Sequence, residues 1–178
     1  MIRPSRWVLL DRDGTINVKA PDGEYVTAPE QLQLLPGAAD AIARLNRMGM
    51  RVVVVTNQRG IARERMSPQD LEAIHARLTD LLAARGAHVD AVLTCPHDDG
   101  QCECRKPCTG LLEEAARLVG LPLREAVMIG DSDSDVEAGR HAGTATTIKL
   151  GNKGSARFDL LASSLAHAVD LLTEASSS

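Results

Sequence analysis

Asp11 and Asp13 stand two residues apart in Asp11-Arg12-Asp13-Gly14-Thr15, directly after the apolar run Trp7-Val8-Leu9-Leu10. One acid of such a pair could attack an electrophile while the other handles protons, and Gly14 lets the chain turn sharply after them. An acidic turn at the end of a core strand would use the same residue types. Three later segments favour chemistry. Thr56-Asn57 offers a hydroxyl and an amide to phosphoryl oxygens. Lys106, in Cys104-Arg105-Lys106-Pro107, offers a cation, and Gly130-Asp131 with Asp135 four residues on offers further carboxylates. Taken singly, these read as a strand-end turn, a solvated basic pair and an acidic helix start that complements the macrodipole.

Gathered at one place, they suit phosphoryl transfer. Asp11 would attack phosphorus and become an aspartyl phosphate. Asp13 would protonate the departing alkoxide and then take a proton from the hydrolytic water. Two carboxylates repel a phosphate monoester, so a hard divalent cation is required. Mg²⁺ fits, held by the carboxylates of Asp11 and Asp131 and the backbone carbonyl of Asp13, with Asp135 binding or orienting that shell. Lys106 would neutralise charge on the transferring group while Arg105 reaches another part of the substrate.

A second metal is expected nearby. Cys95-Pro96-His97, four intervening residues, and Cys102-Glu103-Cys104 supply three thiolates and an imidazole, a complete tetrahedral Zn²⁺ set. A redox disulfide or free thiols are the alternatives for the same residues. With all four positions filled by protein, the zinc would be structural, bracing the loop that carries Arg105 and Lys106. Cys108 is surplus to this set.

The elements that must position these groups alternate. Short apolar or β-branched runs at 7–11, 51–56, 89–94, 126–130 and 145–150 are predicted strands. Helical patterns lie between them. One starts near Pro36-Gly37 and stops at Gly49. The next is capped by Ser67-Pro68-Gln69-Asp70, buries Leu71, Ile74, Leu78, Leu81 and Leu82, and ends at Gly86. Two more occupy roughly 110–119 and 135–142, and a Ser-rich end around one short helix is expected to fray into a flexible tail. This alternation predicts an α/β fold, a parallel Rossmann-like sheet with helices on both faces, whose ligands bind at the carboxyl ends of the strands. Asp11, Thr56 and Asp131 all fall at such ends.

At 178 residues the chain is expected to form one domain, residues 1–178, with the zinc loop at about 95–108. Aromatic residues make up only 2%, so the core must be built from Val, Leu, Ile and Ala. The formal charge is −4 with signs interspersed, which disfavours a nucleic-acid partner. No segment has the apolar length of a membrane span or of a signal peptide, so a cytoplasmic location is expected; a monomer is expected, with an oligomer left open.

With these motifs in place the chain resembles the haloacid-dehalogenase superfamily of aspartate-nucleophile phosphatases, through Asp11-x-Asp13-Gly14-Thr15, Thr56-Asn57, Lys106 and Gly130-Asp131-x-x-x-Asp135. The zinc loop narrows the likeness to the group that holds heptose-bisphosphate and histidinol-phosphate phosphatases. Asp11 to Asn17, Gly23 to Val26 and Gly60-Ile61-Ala62-Arg63 look more like the heptose side. The resemblance implies a small phosphorylated sugar as substrate, contacted by Arg12, Tyr25, Asn57 and Gln58, with Arg105, and then Arg59 or Arg63, at its far end. It departs from the pattern at Arg59, Ser132 and Cys108, around the substrate mouth. The intervals after Asp13 and after Thr56 are too short for a cap domain, so a capless enzyme is expected, its mouth shaped by residues 17–30, 58–66 and the zinc loop. The competing readings are a phospho-receiver domain, a zinc-loop nucleic-acid binder, and a phosphatase of histidinol phosphate or a nucleic-acid 3′-phosphate. A receiver would carry its phosphorylated Asp after the third strand, where this chain has Thr94-Cys95.

Overall fold

A computed structural model describes residues 5–176. Six strands, β1 (Trp7–Leu10), β2 (Arg51–Asn57), β3 (Ala91–Cys95), β4 (Ala126–Gly130), β5 (Thr146–Leu150) and β6 (Leu160–Ala162), form one parallel sheet in the order β3-β2-β1-β4-β5-β6. Five helices complete it: α1 (Ala38–Arg47), α2 (Pro68–Ala83), α3 (Gly110–Val119), α4 (Asp133–His141) and α5 (Leu165–Ser176).

Alternation along β1 assigns the layers. Val8 and Leu10 point to one face, where they join Ile42 and Leu45 of α1, Ile74 and Leu78 of α2 and Val169 of α5. Trp7 and Leu9 point to the other, against Leu111, Leu112 and Ala115 of α3 and Ala138 of α4. Both faces are covered, which is why the central strands read as unbroken apolar runs. Truncating one of these buried leucines to alanine would cost about 2–5 kcal/mol.

β1 is flanked by β2 on one side and β4 on the other, with Leu10 opposite both Val54 and Ile129. The chain winds outward in opposite directions from β1, so a crevice opens at its carboxyl end. Asp11, the end of β2 and Asp131 converge there.

The five expected strands and four expected helices are present within a residue or two. α4 begins at Asp133, ahead of the expected 135, because Ser132 caps it: Ser132 Oγ accepts from the Asp135 amide, and Asp135 Oδ2 accepts from the Ser132 amide. α2 carries the expected Ser67/Asp70 box with Pro68 inside it. The C-terminal segment is more ordered than a frayed end. Leu160–Ala162 forms the sixth strand and α5 buries Leu165, Ala168, Val169 and Leu172. Ser177 and Ser178, the last residues of the expected tail, lie outside the described residues. Between Asp11 and α1 the described chain holds one short 3₁₀ turn, Pro29–Gln31, and no inserted domain. Among the described residues no helix is long and apolar enough to cross a membrane.

Candidate active site

The Asp11–Asn17 turn folds on itself before it meets any ligand. The Arg12 carbonyl accepts from the amides of Thr15, Ile16 and Asn17, and the Gly14 amide donates to the Asn17 carbonyl. Gly14 takes φ +83°, and a Cβ there would collide with the Asp131 carboxylate. Gly130, at the end of β4, is held to glycine by Asp135 in the same way. The two glycines let Asp11, Asp131 and Asp135 close up.

Asp11, Asp131 and Asp135 each bring a carboxylate oxygen within 4.8 Å of the others. Burial, and then the neighbouring Asp135, push the Asp11 carboxyl up to about 8, against the opposing pull of Lys106. Asp131 is raised by the same two causes. Three carboxylates outnumber the one buried cation beside them, Lys106, and the Asp11 and Asp131 oxygens are the kind of hard donors that a small divalent cation takes. Mg²⁺ therefore fits here. Asp135 is less free, since its Oδ1 lies 2.7 Å from Lys106 Nζ and its Oδ2 caps α4.

Lys106 is fully enclosed. Its Nζ donates to Asp11 Oδ1 at 2.8 Å and to the Val55 carbonyl at 2.7 Å, beside the Asp135 contact. Burial alone would lower its pKa, but Asp11 and Asp135 outweigh that and hold it protonated. A reciprocal pair at 3.1 Å ties its backbone to the Asn57 side chain, so β2 fixes the lysine's position.

Asp13 sits across from this cluster. Its Oδ1 accepts from Arg12 Nη2 and from Asn17 Nδ2, both at 2.9 Å, and its Oδ2 accepts from Gln58 Nε2 at 2.8 Å. Burial pushes its carboxyl upward, but the Arg12 charge and these bonds prevail and hold it below the ordinary carboxylate range.

The crevice, about 340 Å³, is bounded by Asp11, Asp13, Lys106 and Asp131 at its floor and by Lys19–Val26, Asn57–Arg59, Asp99 and Arg105 at its mouth. Tyr25, Asn57, Gln58, Arg59 and Arg105 line it. Three expected contacts, Arg12, Arg63 and Thr56, do not line it. Arg12 has no exposure and turns away from the crevice, toward Asp13 and His75, because its charge is needed under the Asp13 carboxylate. Arg63 lies outside the lining, with Nε 2.9 Å from Asp98. Thr56 is buried behind Gln58, whose Nε2 donates to its Oγ1 at 2.9 Å.

The four zinc candidates come together as well. Sγ atoms of Cys95, Cys102 and Cys104 lie 3.0–3.5 Å apart, and His97 Nδ1 is 3.6 Å from Cys95 Sγ and 3.4 Å from Cys104 Sγ. A disulfide needs about 2.05 Å, whereas Zn–S bonds of about 2.3 Å in a tetrahedron set sulfurs about 3.8 Å apart. All four cysteines are free, and the cluster fits a zinc ion with little adjustment. Cys108 is not part of it.

Sequence reasoning missed Asn17 as a partner of Asp13, the alternate use of Arg12, and His75. The last carried a signal: 75 lies on the same helical stripe as 71, 74, 78 and 82, a polar residue on a buried face.

Comparison with known proteins agrees with this geometry. Residues 5–143 match the haloacid dehalogenase-like hydrolase model. The Pseudomonas aeruginosa protein named D-glycero-beta-D-manno-heptose-1,7-bisphosphate 7-phosphatase is 43% identical over 135 residues, 75% of this chain and 74% of that one. Its Yersinia pestis namesake is 35% identical over 173 residues, 89% and 90% of the two chains. The crystal structure of the B. bronchiseptica D,D-heptose 1,7-bisphosphate phosphatase, complexed with magnesium and phosphate, superposes with a TM-score of 0.88 at 33% identity, covering 96% of this chain and 99% of that one. From the motifs, the sheet and these likenesses together, the chain belongs to the haloacid dehalogenase-like hydrolases and is a phosphatase of that family.

Proposed function

We propose that this chain removes the C7 phosphate of D-glycero-D-manno-heptose 1,7-bisphosphate, with Mg²⁺ at the floor of the crevice and Zn²⁺ in the loop beside it. One observation carries the reading: Asp11, at the carboxyl end of the central strand, shares its pocket with a protonated lysine, two further carboxylates and a second acid at position 13.

A carboxylate oxygen of Asp11 attacks phosphorus as the bond from phosphorus to the C7 oxygen breaks. Asp13, ionised in the resting site, takes the proton that the monoanionic ester brings in and gives it to that oxygen, so the sugar leaves as an alcohol. Water then attacks the aspartyl phosphate and passes a proton to Asp13, and inorganic phosphate and the Asp11 carboxylate are regenerated. Both donors on Asp13 Oδ1 come from Arg12 and Asn17, which leaves Oδ2, shared only with Gln58, as the oxygen that carries the proton. Lys106 stays charged throughout and offsets the anionic transition state. Asp11, Asp131 and the Asp13 carbonyl would hold Mg²⁺, which supplies charge neutralisation between the phosphate and these carboxylates.

The sugar assignment rests on the relatives' names, which specify the β anomer for several of them, and on the basic mouth at Arg59 and Arg105, which suits a second phosphate. The test is phosphate release from both heptose bisphosphate anomers, fructose 1,6-bisphosphate and histidinol phosphate by the wild-type protein and by Asp11→Asn. The proposal requires the heptose ester to have the highest kcat/KM and the variant to be inactive. Preference for histidinol phosphate would overturn the sugar, and an active Asp11→Asn would overturn the covalent mechanism.

A further inference from the structure

Beneath the floor of the crevice runs a chain of contacts that reaches α2. The Arg12 guanidinium, with no exposed surface, spans Asp13 and His75: Nη2 donates to Asp13 Oδ1 at 2.9 Å, and Nη1 meets His75 Nε2 at 3.0 Å. Arginine has only donors, so Nε2 must be the acceptor and the ring proton sits on Nδ1. Burial and the adjacent Arg12 charge both favour this neutral imidazole. Arg12 Nε has no hydrogen-bond partner among the described residues. The orientation of the guanidinium therefore rests on two anchors, the Asp13 carboxylate and the histidine.

We propose that His75 is a positioning residue for Asp13, acting through Arg12. The inference rests on the reading of Asp13 as the proton donor to the leaving oxygen. A planar guanidinium held at both ends fixes the direction from which its charge meets Oδ1. With Asn17 on the same oxygen, the carboxyl plane is set and Oδ2 faces the crevice. Without the histidine acceptor, Arg12 keeps one anchor and can rotate about it, leaving a buried donor unpaired. Asp13 then loses the fixed plane that proton transfer to a leaving oxygen requires. His75 itself touches no substrate. Its placement on the apolar stripe of α2, between Leu71 and Leu78, sends the ring under the catalytic turn rather than to solvent.

Proton donation matters only for a leaving group that needs a proton. The experiment compares kcat/KM, which covers the steps up to release of the alcohol, for p-nitrophenyl phosphate and for two alkyl esters, heptose 1,7-bisphosphate and fructose 1,6-bisphosphate. His75→Ala should lower kcat/KM about tenfold for the alkyl esters and less than about twofold for the nitrophenyl ester. His75→Gln, whose Oε1 can replace Nε2 as acceptor, should restore the alkyl activity. His75→Leu, which refills the volume without an acceptor, should behave as the alanine variant does and replaces it if alanine fails to fold. Equal losses on all three esters would mean a merely structural histidine, and no loss on any would mean Arg12 needs no second anchor; either overturns the inference. Failure of the wild-type protein to turn over either class of ester is a separate result, which overturns the phosphatase chemistry and this inference with it.

Discussion

Asp135 faces Lys106 with Oδ1 2.7 Å from Nζ, while its Oδ2 accepts from the Ser132 amide at the start of α4. One carboxylate thus closes a helix and fixes the lysine that touches Asp11. Both partners of the ion pair are almost wholly buried, and all three Lys106 protons have acceptors. Removing Asp135 would leave Lys106 with Asp11 as its anionic partner and one buried donor unpaired, a loss of about 1–3 kcal/mol. Asp135→Ala should lose stability on that order, whereas Asp135→Asn keeps an oxygen for the cap and should lose less. Urea unfolding of the two variants checks the order; a loss below about 1 kcal/mol for alanine would show that the pair contributes little to the fold.

Much of this architecture is written locally. Val52 to Val55 and Ala126 to Ile129 read as central strands because each is a short buried apolar run closed by turn residues, the first of them wholly β-branched. The polar residues that follow them, Thr56-Asn57 and Asp131, then fall at one sheet edge by topology. Leu160–Ala162 is too short to carry a period, and its strand identity comes from pairing with β5. Arg12 misleads for a different reason. A cation in a catalytic loop is expected to face the anionic substrate, but the Asp13 carboxylate and the His75 ring, 63 residues on, draw it inward. That is a tertiary effect no local pattern records.

His75 also gives the fold a pH dependence. Burial, then the Arg12 charge, bring its pKa down to about 4, against a weaker upward pull from Asp13. In the unfolded chain it titrates near 6.5. Between these values the unfolded chain binds the proton and the folded one does not, so stability falls as pH drops from about 6.5 to about 4. The loss should be on the order of 3 kcal/mol. The depressed Asp13 carboxyl acts lower, its contribution standing above the unfolded value of 3.8 and vanishing as pH falls through its folded value. Denaturation midpoints at pH 7 and pH 4.5 should therefore converge in His75→Gln relative to wild type. An equal drop in both proteins would assign the slope to other groups.

Zinc removal should separate the two basic residues of the loop. The Arg105 amide donates to Cys102 Sγ at 3.3 Å, so it depends directly on the cluster. Lys106 is tied to β2 through Asn57 and to Val55, independently of the thiols. The purified protein should contain one zinc per chain. A thiol-competing chelator should raise KM for the sugar bisphosphate several-fold while leaving phosphorylation of Asp11 by p-nitrophenyl phosphate intact. Loss of both together would mean that the zinc loop also holds the floor of the crevice.

The mouth of the crevice contains an anion of its own. The Asp99 carboxylate bridges Arg105 Nε at 2.6 Å and Arg59 Nη1 at 3.2 Å. It stands where the distal phosphate of a bisphosphate would seek the same two guanidinium groups. Asp99 is 71% exposed, so the contact is worth about 1 kcal/mol or less. Arg105 Nη1, buried and without a hydrogen-bond partner among the described residues, remains free to take the incoming anion. Displacing Asp99 is then a small, constant opposition to binding. Asp99→Asn should lower KM for the sugar bisphosphate by up to about fivefold and leave p-nitrophenyl phosphate, which has no second anion, unchanged. Arg105→Ala should raise KM for the bisphosphate at least about tenfold with little change in kcat. A rise in KM on Asp99→Asn would mean instead that the carboxylate holds the arginines in place for the substrate.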